Sequence, residues 1–263
     1  MWKYDEPVRV AAHRGDCANY PENTLPSFES ALKYPIDQIE MDLHMTKDRE
    51  IILMHDHKLD RSTDGSGPIR EHTLAEIKKL DAGSWKDSRF AGTRVPTFTE
   101  FLELLQDYPD MTLNVELKDY PETDAEWAWE SADKSIALLE RYGMCGRVMI
   151  NSWSAEILEY VDETYHHAFP LHGYYPYSLL HGKRTRDPFD YIYCACLFGT
   201  KEKPVLEKSA FEAALTRGVE PWVFFSDDSL AHCAEAIANG ARMITANDPQ
   251  KVLAFLRERG LHR

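Results

Sequence analysis

Nine β-like runs, near residues 8–13, 36–43, 51–54, 112–117, 147–151, 167–171, 191–195, 220–225 and 242–246, alternate with helical spacing along this chain. That rhythm restricts the fold more than any other feature. Apolar residues at i, i+3 and i+4 mark the helical segments: Phe28, Ala31 and Leu32; Ile136 and Leu139; Ile157, Leu158 and Val161. The run at 51–54 follows 36–43 after only a polar turn around Lys47-Asp48. Consecutive parallel strands need a crossover of roughly a dozen residues, so this run folds back as a hairpin arm. Eight strands in βα alternation over 263 residues predict an α/β fold, a (β/α)8 TIM barrel. A doubly wound open sheet shares the alternation; the size and the count of eight favour the barrel.

Helix ends are marked by capping chemistry. Thr73 with Glu76 and Thr97 with Glu100 form capping boxes, and Asp248 precedes a first-turn Pro249 in a helix that Gly260 closes. Between residues 56 and 95, Gly, Ser, Asp and Lys are frequent and only one short helix is expected, near Leu74, Ile77 and Leu80. The expectation is a single domain with a small insertion after the second barrel strand, lying over the barrel mouth. No internal repeat or low-complexity tract marks a second unit.

The formal charge is −14, from 30 Lys and Arg against 44 Asp and Glu. That balance opposes nonspecific binding to nucleic acid or anionic membranes, so an anionic ligand needs a local cation. No run approaches the roughly 20 apolar residues of a membrane span, and MWKYDEPVRV lacks the apolar core of a signal peptide. Five cysteines, Cys17, Cys145, Cys194, Cys196 and Cys233, include no CxxC pair. Reduced thiols in a soluble cytoplasmic protein fit best. Cys194 and Cys196 share one strand face, and buried free thiols are the plainer reading of that pair.

Polar residues gather where strands end: His13-Arg14-Gly15, Glu40-x-Asp42 and His55-Asp56. Side chains alternate along a strand, so Glu40, Asp42 and His44 share one face, as do Asn114, Glu116 and Lys118. A two-residue turn at Lys47-Asp48 sets His55 opposite Glu40. Carboxylates brought together repel unless a cation sits between them, and oxygen-only ligation suits a hard ion such as Mg²⁺ or Ca²⁺. Glu40, Asp42 and Glu116 are the candidate ligands. The competing reading is a solvated strand end neutralised by Lys118 or Arg14.

Taken together, AAHRG, PENTLPSFESAL, EMDLHMTKDREIILMHDHKLDRSTDGSG and LNVELK resemble the glycerophosphodiester phosphodiesterase family. The likeness runs from His13 to Gly67, returns at Asn114 to Lys118, and has weak echoes at Trp222 and Ile244-Thr245. It implies a TIM barrel with an insertion after the second strand. It further implies a phosphoric diester hydrolase of lipid and glycerol metabolism that forms sn-glycerol 3-phosphate and an alcohol. By resemblance, Glu40, Asp42 and Glu116 are divalent metal ligands and His13 and His55 the acid and base pair. Arg14 and Lys118 would contact phosphate, and Trp222 would sit at the mouth.

Beyond residue 150 the chain departs from the family pattern. Pro221-Trp222-Val223-Phe224-Phe225 stands where Trp-Thr-Val-Asn is common, and Thr245-Ala246-Asn247-Asp248-Pro249 follows the last strand. These departures bear on substrate choice. Tyr174, Tyr175, Tyr177, Tyr191 and Tyr193 could form an aromatic wall for a head group or lipid chain, with ordinary barrel packing the plainer account. Two other functions are carried beside the first: a lysophospholipase D-like hydrolase of lysophospholipids, and a noncatalytic glycerophosphate-binding protein.

Overall fold

A computed structural model describes residues 6–263. The leader-free start read from residues 1–10 falls partly on residues 1–5, outside them. The strands are β1 (Arg9–His13), β2 (Gln38–Met45), β3 (Ile51–Leu53), β4 (Thr112–Leu117), β5 (Val148–Asn151), β6 (Leu171–Tyr175), β7 (Cys194–Leu197), β8 (Glu220–Phe224) and β9 (Met243–Ala246). All neighbours pair in parallel except β2 with β3, and β1 meets both β2 and β9, so eight strands close into a barrel. The helices are α1 (Leu25–Ala31), α2 (Leu74–Ile77), α3 (Phe98–Leu104), α4 (Ala125–Arg141), α5 (Ala155–Thr164), α6 (Lys208–Thr216), α7 (Leu230–Asn239) and α8 (Pro249–Arg257). The crossover between β6 and β7 contains no α-helix, only 3-10 turns at Tyr177–Leu179 and Pro188–Asp190.

The core lies between strands and helices, where Phe28 of α1 packs on Phe101 of α3 at a ring separation of 4.5 Å. The lower barrel interior is filled by Ala11, Met149, Cys194, Trp222 and Met243, all fully buried. Both capping boxes form, with Thr73 and Thr97 each accepting from the backbone N–H three residues on. Asp248 caps α8 ahead of Pro249. After α8, Gly260 sits at φ 66° while Leu261 N–H donates to Leu256 C=O at 3.0 Å, a Schellman closure that needs a left-handed residue.

Two expectations are corrected. The sixth strand begins at Leu171 rather than near 167, because His166 and His167 have φ of 53° and 60°, incompatible with extended backbone. The hairpin places Leu43 opposite Leu53 and Met45 opposite Ile51. Its loop is three residues, 47–49, with Arg49 at φ 67° and Thr46 N–H donating to Glu50 C=O. The odd loop shifts the register by one, so the ladder prolonged to His55 would face Met41 rather than Glu40.

Residues 56–95 carry a small apolar cluster of their own, Leu59, Ile69, Ile77, Ala82 and Val95 with Ile52 and Met54. Lys86 Nζ donates to Cys17 C=O at 2.8 Å and Arg89 to Asn19 C=O at 3.0 Å, which fastens the segment to the loop after β1. Among the described residues, no helix is long and apolar enough to cross a membrane.

Candidate active site

The chain leaves β1 through two left-handed residues, Arg14 at φ 54° and Gly15 at φ 81°. A Cβ on residue 15 would come within 2.7 Å of the Ser27 backbone carbon, so glycine is required on both counts. This sharp exit leaves His13 at the strand end and turns Arg14 inward. Arg14 N–H donates to Glu40 Oε2 at 3.0 Å, and its guanidinium reaches Asp42 at 3.1 Å and Glu22 at 2.9 Å.

The register of β2 against β4 sets Glu40 beside Asn114 and Asp42 beside Glu116. Glu40, Asp42 and Glu116 are 3%, 0% and 5% exposed, and one carboxylate oxygen of each lies within 4.8 Å of the others. Lys118 Nζ stands 3.1 Å from Asp42 Oδ1 and 2.5 Å from Glu116 Oε1. Asn23, itself left-handed at φ 54°, donates Nδ2–H to Asp42 Oδ2 at 2.7 Å.

His55 lies past the end of β3, and its Nδ1 is 2.7 Å from Asp56 Oδ1. Arg61 clasps Asp56 at 2.7 Å and Glu22 at 2.7 and 2.9 Å. Glu22 returns to Arg14, so the two ends of the site are joined by alternating charges. Across the barrel, His13 Nδ1 is 2.6 Å from Asn247 Oδ1 and its Nε2 is 3.9 Å from Glu40.

Burial and the neighbouring Asp42 and Glu116 charges push Glu40 well above the usual carboxylate range. Burial also raises Glu116, an effect Lys118 only partly offsets. At Asp42 burial is outweighed: Lys118 and Arg14 hold its carboxyl far below the usual range. Lys118, despite burial, is raised by Asp42 and Glu116 and stays charged. His13 is lowered to about 3, by burial and then by Arg14, and burial lowers His55 as well.

Three buried carboxylates against two cations leave Glu40 and Glu116 short of compensating charge. The donor set is oxygen-only and tightly clustered. It fits a hard divalent cation, while the lysine and arginine pairing anticipated as the alternative is present at the same time.

His13, Arg14, Glu40, His55, Glu116 and Lys118 line one cavity of about 160 Å³ at the carboxyl ends of the strands. Asp42 is fully buried against Arg14 and Lys118. Trp222 is not at the mouth, contrary to the expectation. It is fully buried low in the barrel, with Nε1 donating to Glu220 at 3.1 Å, and Phe224, one inward position higher on β8, lines the cavity instead. Of the five tyrosines only Tyr174 reaches the cavity, stacked on Trp153 at 3.7 Å. Tyr175 and Tyr177 pack against Phe189, and Arg186 covers Tyr191. All five cysteines are free; Cys196 lines the cavity.

Sequence reasoning gave no role to Glu22, Asn23 or Trp153, and named Asn247 and Phe224 only within segments that depart from the family pattern. Asn23 carried a signal, since asparagine just ahead of a helix tolerates the left-handed backbone it adopts. Asn247 carried none, because its partner is 234 positions away.

The Glycerophosphoryl diester phosphodiesterase family profile matches residues 13–201. A glycerophosphodiester phosphodiesterase of Caldanaerobacter subterraneus subsp. tengcongensis is 40% identical over 149 residues, 55% of this chain and 58% of that protein. One from Bacillus subtilis is 38% identical over 171 residues, 59% of this chain and 56% of that protein. The chain thus spans somewhat over half the length of the curated relatives it matches. Among solved structures, a glycerophosphodiester phosphodiesterase of Agrobacterium tumefaciens superposes with a TM-score of 0.75 at 26% identity, covering 92% of this chain and 97% of that one. An Oleispira antarctica phosphodiesterase in complex with the product sn-glycerol-3-phosphate shares the fold, at a TM-score of 0.79 and 22% identity over 95% of this chain and 96% of that one. With the match running from His13 through the strands that carry Glu40, Asp42, Glu116 and Lys118, the chain belongs to the glycerophosphoryl diester phosphodiesterase family.

Proposed function

We propose that this chain hydrolyses glycerophosphodiesters to sn-glycerol 3-phosphate and an alcohol, with a divalent cation held by Glu40, Asp42 and Glu116. The observation that carries this reading is the single cavity in which two histidines converge on the carboxylate cluster with Arg14 and Lys118 beside it. Mg²⁺ and Ca²⁺ both suit the oxygen donors. When bound, the ion supplies Lewis-acid neutralisation of the phosphoryl oxygens.

Phosphodiester hydrolysis also needs a nucleophile deprotonated and an alkoxide protonated. Asn247 Oδ1 keeps a proton on His13 Nδ1 and leaves Nε2 as an acceptor. Asp56 does the same for His55 at Nδ1, so Nε2 is the exchanging atom on each ring. Arg14 and Lys118 orient the anionic diester. Trp153, Tyr174, Phe198 and Phe224 give the cavity an apolar side for the carbon skeleton. The reading of 56–95 as an insertion of the same domain beside the mouth is supported by Arg61, which reaches Glu22 and Asp56 next to His55. The five free thiols support a cytoplasmic setting.

The test is release of glycerol 3-phosphate across a panel of water-soluble diesters and lysophospholipids, with and without chelator. Release from the soluble diesters that ceases on chelation and returns with Mg²⁺ or Ca²⁺ is expected. Undiminished turnover in metal-free protein would remove the cation from the mechanism, and binding without turnover would leave a glycerophosphate-binding protein.

A further inference from the structure

A second group of ligand-type side chains stands on the far side of His55, outside the cavity described above. His44, at the upper end of β2, Asp119, just past β4, and His57 in the 56–95 segment place one donor atom each within 4.8 Å of one another. They open onto a separate cleft of about 290 Å³, also lined by Tyr120 and Trp127.

His44 is caught between two acceptors. Its Nδ1 is 3.0 Å from Asp119 Oδ1 and its Nε2 is 3.3 Å from the His55 carbonyl oxygen. One proton between Nδ1 and Oδ1 accounts for the shorter contact, and a divalent cation that displaces it meets two donor atoms already facing each other. Metal–ligand bonds of about 2.0–2.2 Å at tetrahedral angles separate N and O donors by roughly 3.3 Å, close to the 3.0 Å between His44 Nδ1 and Asp119 Oδ1.

His57 supplies the third donor. Its ring has no hydrogen-bond partner among the described residues and meets His44 edge-on at 4.8 Å between centroids. The positive charge of Arg70 in the same cleft is taken up by Asp124 at 2.7 Å. Asp119 is held in place by Met45 N–H at 2.8 Å and Ser131 Oγ–H at 2.7 Å, the outer support that metal-binding carboxylates need.

We propose that His44, His57 and Asp119 form a second cation site, for a borderline-soft divalent ion of the Zn²⁺ class, with its remaining positions open to the cleft. Two imidazoles and a carboxylate select such ions over Mg²⁺ or Ca²⁺, which prefer all-oxygen cages. Occupancy fastens the chain at His55 itself, through the carbonyl contact from His44, and two residues further on, through His57.

The proposal stands apart from the hydrolase reading because its readout is binding. Zn²⁺ is titrated calorimetrically into protein kept in excess Mg²⁺, using wild type, His57→Ala and Glu40→Gln. One equivalent in wild type and in Glu40→Gln, with affinity at least tenfold weaker in His57→Ala, is expected. Circular dichroism confirms that His57→Ala is folded, as its solvent-facing ring predicts. Absence of Zn²⁺ binding in wild type, a smaller loss in His57→Ala, or loss in Glu40→Gln would each overturn the site. Co²⁺ loaded the same way should show d–d bands without a thiolate charge-transfer band; a thiolate band would place the ion on cysteine and overturn it too.

Discussion

His13 Nδ1 lies 2.6 Å from Asn247 Oδ1, and Asn247 Nδ2–H donates to Ser226 C=O at 2.8 Å. The second contact fixes which way the amide points, since a carbonyl only accepts. Oxygen therefore faces His13, and the imidazole carries its proton on Nδ1. The tautomer of a residue on the first strand is set by a side chain that follows the last.

Replacing that amide separates orientation from charge. Asn247→Leu should lower kcat by about tenfold to a hundredfold, because the proton is then free to sit on either nitrogen. Asn247→Asp keeps an acceptor but adds charge, which favours the imidazolium, so the limb of the pH–rate profile set by His13 should move to higher pH: the acidic limb for a base, the basic limb for an acid. An Asn247→Asp profile superimposable on wild type would show that His13 is not oriented through this contact.

His13 and His55 should divide the proton transfers, giving a bell-shaped pH dependence of turnover. On a diester with an activated aryl leaving group, the variant lacking the acid should recover much of its rate, and the variant lacking the base should not. Equal, full losses for His13→Ala and His55→Ala on both substrates would abolish the division.

Gly15→Ala should destabilise the fold by about 2–4 kcal/mol, combining left-handed strain with collision against the Ser27 backbone. Gly92→Ala is the control: φ is 85° there but no atom lies within 4 Å of the added Cβ, so only about 1–2 kcal/mol of strain applies. Urea unfolding midpoints compare the two. Equal losses would mean that the Ser27 contact relaxes at little cost.

His172 is fully buried, with Nδ1 2.9 Å from Asn114 Nδ2, and burial lowers it to about 3. The unfolded chain protonates this ring below about pH 6.5 and the folded chain refuses the proton, so stability falls as pH drops from about 6.5 toward 3. By pH 5 the loss from this one group is about 2 kcal/mol. His172→Phe should flatten that part of the stability profile, and a slope between pH 7 and 5 unchanged from wild type would count against the buried neutral ring.

The barrel was legible because period-two and period-3.6 patterns report burial directly, and the capping boxes at Thr73 and Thr97 are local chemistry. The carboxylate face was legible for the same reason: Glu40 and Asp42 lie two apart on one strand. What the pattern could not reach were heights and registers. Trp222 and Phe224 point the same way on β8, and only the closed barrel decides that the second reaches the cavity. His55 was placed by a turn assumed to be two residues long, while Arg49 in a left-handed conformation makes it three. The helix-free β6 to β7 crossover also left no local mark, since Pro176 and Pro188 interrupt it without saying what replaces a helix.

If Glu40, Asp42 and Glu116 hold the proposed cation, their crowding ties the lifetime of the fold to the ionic composition of its surroundings. Strands β2 and β4 are locked side by side in a closed ladder, so the carboxylates cannot separate to relieve their repulsion. An ion that binds only the folded arrangement draws the population toward it by mass action, about 2.7 kcal/mol at a hundredfold excess over its dissociation constant. On the proposed reading, scarcity of the cation would remove stability as well as catalysis, and an ion-starved molecule would be a better substrate for proteolysis than an ion-replete one.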